Sequence, residues 1–192
     1  MANVDKAFGL KPLGNLSATG AQKQYGYNID DNQAGAIFQG DLVTIVNGSV
    51  VKFLPATHAA ALGVFNGCNY VDPTTGKPIF SNYYPGSVNI TQGVIQADVI
   101  DDPNQLFIIQ ADASVVQANI GKNADIIGTG GSTTTGVSTM ELNSSTIADT
   151  AALNLKIVGF YNVPNNEPGA FAVVVVKINE HLYGSTGVKA VT

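Results

Sequence analysis

Short apolar runs separated by turn residues dominate the chain from residue 24 onward. Residues 24–29 alternate polar and apolar side chains, as in a strand with one face toward a core. The clearest β-rich runs are 155–161 and 171–178. The segment between them, 164–169, contains proline and glycine and cannot continue either strand. Short strands at regular spacing with turns between them predict an all-β sandwich or barrel of antiparallel strands.

Two Asn-Gly pairs mark predicted reversals of the chain. Asn47-Gly48 lies between two β-rich runs, and this is the strongest local hairpin signal because both residues accept positive φ. Asn66-Gly67 follows another β-rich run and predicts a second hairpin with a short return strand. Further strands are predicted at 36–38, 42–46, 49–53, 61–65, 68–71, 79–80, 94–100 and 106–111.

Helix is predicted to be rare. The stretch 113–120 is compatible with one short helix, with Asp112 or Ser114 near its start and Gly121 just past its end, and 145–153 is ambiguous. The stretch 128–136 is rich in Gly, Thr and Ser and predicts an exposed loop. We therefore expect at most one or two short helices. The sequence leaves open whether 113–150 forms a separate small lobe.

Residues 1–22 predict an extended N-terminal arm ahead of a β-rich domain spanning 23–192. The arm's apolar residues are isolated among Gly, Pro, Asn and Ser, without a helical or alternating period. Such an arm can lie across its own domain or reach a neighbouring subunit, and the sequence leaves both fates open. These apolar residues are Phe8, Leu10, Leu13 and Leu16.

The composition favours assembly and disfavours nucleic-acid binding. Charged residues make up 12% of the 192 residues, against about 25% in ordinary soluble domains. The polar surface must therefore consist largely of uncharged side chains, which are buried against a partner at lower desolvation cost. The nine basic residues are all lysines and the net charge is −5, which argues against binding to phosphate backbones.

No segment predicts secretion or membrane insertion. Residues 1–6 do not combine a basic region with a following apolar run, so we expect no signal peptide. No stretch approaches the roughly 20 apolar residues of a membrane helix. We expect a protein that is made in the cytoplasm of a host cell.

The titratable residues do not form a recognisable catalytic or metal-binding motif. His58 and His181 are isolated and lack metal-ligand spacing. The lone Cys68 has no basic neighbour to activate it. The densest acidic region fits turn chemistry better than acid–base catalysis, with calcium binding as a minor alternative; it comprises Asp98, Asp101, Asp102 and Asp112. We therefore expect no enzymatic activity, no catalytic residue, no metal and no cofactor.

Several phrases along the chain resemble those of capsid decoration (cement) proteins of tailed bacteriophages, of the marine and cyanobacterial type. The resemblance runs through nearly the whole chain. The phrases are AFGLKP at 7–12, GDLV at 40–43, LGVFNGC at 62–68, FSNYYP at 80–85, IDDPN at 100–104, GSTTTG at 131–136 and INEH at 178–181.

The resemblance implies a β-rich structural protein on the outside of a virion that clamps neighbouring major capsid subunits. It also implies a homo-oligomer, with a trimer as the expected state. Repetition around the shell would give avidity even from modest individual contacts. Under this hypothesis the protein-binding residues lie in the arm and are Phe8, Leu10, Lys11, Pro12 and Leu13.

The alternative function is a carbohydrate-binding or adhesive module, such as part of a phage tail fibre. Its stacking surfaces would come from tyrosines, although aromatic residues in β proteins more often pack in the core or across strands. Copy number separates the two functions, because a cement protein is needed in many copies and a fibre in few. The tyrosines are Tyr25, Tyr27, Tyr70, Tyr83 and Tyr84.

Overall fold

The computed structural model describes residues 3–17 and 24–184, with the side chains at 24 and 25 excepted. Regular structure in these residues is almost entirely β, together with two 3-10 helices at Gln117–Asn119 and Ser144–Thr146. The strands are β1 (Lys11–Asn15), β2 (Gln24–Ile29), β3 (Ile37–Phe38), β4 (Leu42–Val46), β5 (Ser49–Lys52), β6 (Gly63–Val71), β7 (Pro78–Ser81), β8 (Tyr83–Tyr84), β9 (Ile95–Ile100), β10 (Gln105–Gln110), β11 (Ser114–Val115), β12 (Asn123–Ala124), β13 (Ile126–Ile127), β14 (Glu141–Leu142), β15 (Leu155–Phe160), β16 (Gly169–Ala170) and β17 (Val173–Ile178).

The strands form antiparallel sheets that pack as a sandwich, which confirms the predicted fold class. The five-stranded sheet has the order β1-β10-β17-β15-β12. The six-stranded sheet has the order β2-β9-β6-β4-β5, with β7 paired to β6. The six-stranded sheet curls, so that β2 and β5 approach each other without pairing. Neither of the helices in the part of the chain that the structure describes could span a bilayer.

Two hydrophobic cores lie on the two faces of the six-stranded sheet. The first core packs this sheet against the five-stranded sheet, and the second fills the inside of the curl. Successive strand residues point to opposite faces. Leu42 and Val64 therefore enter the first core, while the adjacent Val43 and Phe65 enter the second. Burial on both faces explains why 42–43 and 64–65 are apolar at consecutive positions rather than alternating.

The hairpin predicted at Asn47-Gly48 is confirmed. It connects β4 to β5, with Val46 opposite Ser49. Both turn residues have positive φ, 50° for Asn47 and 81° for Gly48. This is the backbone twist that a tight hairpin requires.

The second predicted hairpin, at Asn66-Gly67, is wrong. Strand β6 continues through both residues, and its register against β9 shifts between Phe65 and Gly67, which marks a β-bulge. The residues before and after the bulge pair with the same neighbouring strand, so tertiary pairing overrides the local turn signal. Gly67 is needed because a Cβ there would lie 2.9 Å from the carbonyl oxygen of Ser81.

The helix predicted at 113–120 is also wrong. Its first half contains β11, which pairs with β16, and only one short 3-10 turn follows. Val115 has no exposed surface and lies in the first core. Buried side chains from the rest of 113–150, including Ala124 and Met140, join the same core. The five-stranded sheet and this region therefore share one core.

Candidate protein-binding surface

The N-terminal arm lies along its own domain as far as the structure describes it. Residues 3–17, here called the strap, include β1, which pairs with β10 at the edge of the five-stranded sheet. Gln110 fixes the chain ahead of β1, because its side chain accepts a hydrogen bond from Lys6 N and donates one to the Val4 carbonyl, both at 2.7 Å. The other arm residues, 1–2 and 18–22, lie outside the described residues.

Asparagine side chains attach both ends of the strap to the domain. The Asn3 amide donates to the carbonyl oxygens of Glu167 and Ala170, each at 2.9 Å. At the other end, Asn15 Nδ2 donates to Asp102 Oδ2 at 2.6 Å. The strap is therefore held at its ends as well as through the pairing of β1.

Gly9 and Leu10 lock the middle of the strap. Gly9 has φ +70°, and a Cβ there would lie 2.7 Å from both the Gly40 carbonyl oxygen and the Ser138 Cβ. Leu10 N donates to the same Gly40 oxygen at 2.9 Å. The Leu10 side chain is 1% exposed and belongs to the first core. Leu10, which the sequence places among the protein-binding residues, is therefore enclosed by its own domain.

The other predicted binding residues lie at or near the surface. Phe8 is half-buried, and Lys11 Nζ lies 4.5 Å from its ring centre. Pro12 is exposed, and Leu13 is 44% exposed. The register of β1 against β10 shifts between Pro12 and Gly14. This bulge takes Leu13 out of the ladder and leaves its side chain uncovered.

Two further apolar side chains of the strap are uncovered. Val4 is 75% exposed and Leu16 is 55% exposed. With Leu13 they form the large exposed aliphatic side chains of the strap. Sequence reasoning identified Leu16 as an arm residue but missed Val4, because a single valine among polar residues carries no periodic signal.

A groove of about 330 Å³ lies between the strap and the six-stranded sheet. Four of the five predicted binding residues meet here, and Leu13 is the one that does not. The volume falls at the lower end of the range for ligand pockets, and the lining combines apolar side chains with amides. The lining residues are Phe8, Leu10, Lys11, Pro12, Gln39, Gly40, Val64, Phe65, Asn66, Ile100 and Val137.

Hydrogen bonds join the segments 40–43 and 62–68, which contribute to this groove, and likewise the segments 80–85 and 131–136. Gly40 N donates to the Phe65 carbonyl at 2.9 Å, and Phe65 N donates to the Asp41 carbonyl at 2.9 Å. Asn82 Nδ2 donates to the Thr135 carbonyl at 2.8 Å. These segments are far apart in the sequence, and their contacts are internal. These contacts therefore help to hold the fold together.

Both histidines are engaged by nearby backbone. His58 Nδ1 accepts a hydrogen bond from Leu54 N at 2.9 Å, and His181 Nδ1 accepts one from Tyr183 N at 3.0 Å. Burial lowers the pKa of His58, and it lowers the pKa of His181 to about 4. Among the described residues, no cluster of three His, Cys, Asp or Glu side chains is placed to hold a metal ion.

The acidic residues of the turn after β9 make structural hydrogen bonds, both within the turn and to distant segments. Asp102 Oδ1 accepts a hydrogen bond from Asn104 N at 2.8 Å, the contact that stabilises such turns. Asp101 is buried, and its Oδ2 accepts a hydrogen bond from the Tyr27 hydroxyl at 2.7 Å.

The lone cysteine, Cys68, is also buried. Burial, helped by the nearby charge of Asp98, raises the pKa of its thiol to about 12.

The tyrosines proposed as a stacking surface are largely engaged in internal contacts. Tyr84 has no exposed surface. The Tyr83 ring stacks on Phe38, with ring centres 5.6 Å apart and planes 9° from parallel. The Tyr25 side chain lies outside the described part of the structure. The most exposed aromatic side chain in the described residues is Phe80, at 81%, which sequence reasoning placed in a strand and in the phrase at 80–85 but not on a binding surface.

No protein-family model matches the chain, and comparison with curated proteins and with solved structures likewise found no match.

Proposed function

We propose that this chain is a structural virion protein that binds the outside of a phage capsid and stabilises contacts between major capsid subunits. The observation that carries the proposal is a strap fixed by its own backbone that leaves Val4, Leu13 and Leu16 uncovered. The sequence resemblance supplies the class of partner. Further copies of this chain are proposed as the second kind of partner, in a homo-oligomer.

The fixed strap supports binding because its exposed residues are already ordered. Association of a disordered arm must offset the loss of its conformational freedom, whereas a strap paired to β10 has lost that freedom on folding. The groove beside it offers a partially apolar recess for a partner side chain. A capsid subunit would therefore meet a surface whose geometry is set before contact.

The low charge of the chain supports the same proposal. With 12% charged residues, few ionised groups have to be desolvated when a large surface is covered. Each contact can remain modest, because many copies on one shell act together.

The first experiment is the stoichiometry of this protein in purified virions relative to the major shell protein, measured by quantitative mass spectrometry. A near-equimolar ratio supports the decoration role. A few copies per particle would indicate a tail or fibre component, and complete absence would remove the virion proposal.

A second experiment tests the strap directly. Deleting residues 1–14 would remove Leu10 from the core and most of β1, so unfolding would obscure the result. A double strap variant that combines Leu13→Ser with Leu16→Ser instead changes only exposed side chains. The matched control is Ile127→Ser on β13, where the side chain is 42% exposed. We expect the double strap variant to rebind stripped capsids at least tenfold more weakly, as about 1.4 kcal/mol corresponds to tenfold, and the control to bind normally. Equal binding by the parent protein, the double strap variant and the control would contradict the proposal that the strap is the interface.

A further inference from the structure

Four side chains from neighbouring strands lie side by side on the six-stranded sheet. They are on the face that points away from the inside of the curl, here called the outer face. The register places Asn28 opposite Gln96, Gln96 opposite Asn69, and Asn69 opposite Phe80. Residues directly opposite each other share a face of the sheet. The four residues, here called the cross-strand row, therefore span β2, β9, β6 and β7. Strands lie about 4.8 Å apart, so the row is about 14 Å long.

The amides of the row are positioned by their neighbours. A Cβ at Gly26 would overlap the Gln96 amide, so the missing side chain at this position lets Gln96 lie across β2. Asn69 Nδ2 lies 3.5 Å from Gln96 Oε1, at the outer limit of a hydrogen bond. Each amide carries two donors and one acceptor oxygen. The centre of the row is therefore an ordered, uncharged surface that can both donate and accept hydrogen bonds.

Phe80 closes one end of the row with an exposed aromatic ring. It is 81% exposed, more than any other large apolar side chain in the described residues. An aromatic ring buries a large apolar area when a flat ligand stacks on it. Phe80 thus supplies an apolar wall next to the polar amides.

A polar groove of about 300 Å³ lies at the opposite end. Asn28 belongs to both the row and the groove, so the two features are continuous. The other side chains of the groove include two carboxylates, an amide and a hydroxyl. The carboxylates belong to Asp30 and Asp31, the amide to Gln92 and the hydroxyl to Thr91, and the exposed Val94 adds an apolar side chain.

We propose that the cross-strand row and this groove bind a neutral oligosaccharide. About three sugar rings would span the roughly 14 Å length of the row. Sugar hydroxyls come in adjacent pairs, which amide and carboxylate groups can bind through two hydrogen bonds at once, and the apolar face of a sugar ring can stack on Phe80. Neither the row nor the groove contains a lysine, while Asp30 and Asp31 line the groove and Asp98 follows the row on β9. This charge distribution disfavours sulfated, phosphorylated or carboxylated ligands.

The same features argue against a protein partner on this face. Protein interfaces concentrate apolar residues at their centre and polar residues at the rim. Here the amides of Gln96 and Asn69 occupy the centre, and the apolar Phe80 lies at the end. The face is distinct from the strap, so saccharide binding adds an adhesive role to the proposed capsid role.

Nuclear magnetic resonance titration of the full chain tests this proposal with maltohexaose, laminarihexaose and mannohexaose. We expect saturable shifts of the Asn28, Asn69 and Gln96 side-chain amides with at least one probe, with a Kd of about 1 mM. Phe80→Ala should weaken binding roughly tenfold through loss of stacking. Asn28→Ala should weaken it as well, whereas Ile127→Ala, which changes an exposed apolar residue elsewhere, should have no effect.

Two results would overturn the proposal. One is the lack of a saturable shift with all three probes up to about 10 mM, a range that covers a Kd of about 1 mM. The other is unchanged binding by both Phe80→Ala and Asn28→Ala. If Phe80→Ala bound capsids poorly while no saccharide bound, the face would belong to a protein partner. The capsid proposal is tested at Leu13 and Leu16, so either proposal can fail without the other.

Discussion

The ammonium nitrogen of Lys52 lies 3.0 Å from Oδ2 of Asp41, a carboxylate with no exposed surface. The same oxygen accepts the Phe38 backbone N–H at 2.9 Å, and Lys52 also donates to the Thr129 carbonyl at 2.6 Å. Burial raises the pKa of Asp41, and the adjacent charge of Lys52 opposes that rise. The pair links the start of β4 to the end of β5 and to the loop 128–136.

Removing the charge of Lys52 is expected to destabilise the protein strongly. Lys52→Met leaves Asp41 buried without its counter-ion, which typically costs about 3 kcal/mol or more. Urea unfolding at neutral pH measures the free energy of unfolding. Lys77→Met, at an exposed turn, is the control and should stay within about 0.5 kcal/mol of the parent.

The double variant Asp41→Asn with Lys52→Met tests the cause of this loss. It should recover part of the stability, because no charge then remains buried without a partner. Equal stability of Lys52→Met and Lys77→Met would show that the ion pair contributes nothing.

The strap should depend on the absence of a side chain at Gly9. Gly9→Ala would force a Cβ against Gly40 and Ser138 at a positive φ, with an expected loss of about 2 kcal/mol. Gly14→Ala is the matched control, because a Cβ at Gly14 meets no atom within 4 Å. Hydrogen exchange of the β1 amides should accelerate in the first variant and remain slow in the second. Equal exchange rates in the two variants would refute the proposed lock.

Much of the fold could be predicted from local patterns. The turn at Asn47-Gly48 and the strands on either side of it follow from adjacent residues. Strands such as β15 and β17 can be predicted from their β-rich composition. Asn66-Gly67 carries the same local signal as Asn47-Gly48 but continues a strand, because β9 pairs with β6 on both sides of the bulge. Strand β9 lies about 30 residues further along the chain, so a local sequence pattern cannot predict this pairing.

The candidate surfaces were predictable only in part. The arm was identified from its isolated apolar residues, yet Leu10 and Leu13 look alike in sequence and have opposite environments. The difference depends on Gly9, which approaches Gly40, and on the bulge after Pro12. The cross-strand row could not be predicted at all, because its four members come from four strands and become neighbours only through the register.

Stability should fall in mild acid because of His181. Its pKa is lowered to about 4, chiefly by burial and also by the charge of Lys177, while Asp102 opposes the shift. The unfolded chain takes up this proton near pH 6.5 and the folded chain only near pH 4, so the unfolded state gains stability between these values. The expected loss is about 3 kcal/mol across that window.

Urea unfolding at a series of pH values measures this loss, and His181→Asn is the variant that removes the titrating group. Its free energy of unfolding should depend less steeply on pH between about 6.5 and 4 than that of the parent. The comparison concerns slopes, so a uniform loss of stability in the variant does not affect it. Parallel slopes in the two proteins would exclude His181 as the source.

The Cys68 thiol should be unreactive in the folded protein. It is 3% exposed, and its pKa of about 12 leaves only about 10⁻⁴ of it as thiolate at pH 8. We expect an aromatic disulfide reagent to react rapidly with Cys68 when the protein is unfolded in urea. In buffer without urea, the reaction should be only as fast as the opening of the folded protein. A Thr75→Cys variant in a Cys68→Ser background is the control, because position 75 lies in an exposed turn and should react at once. Rapid reaction of native Cys68 would mean that the second core opens far more readily than its burial indicates.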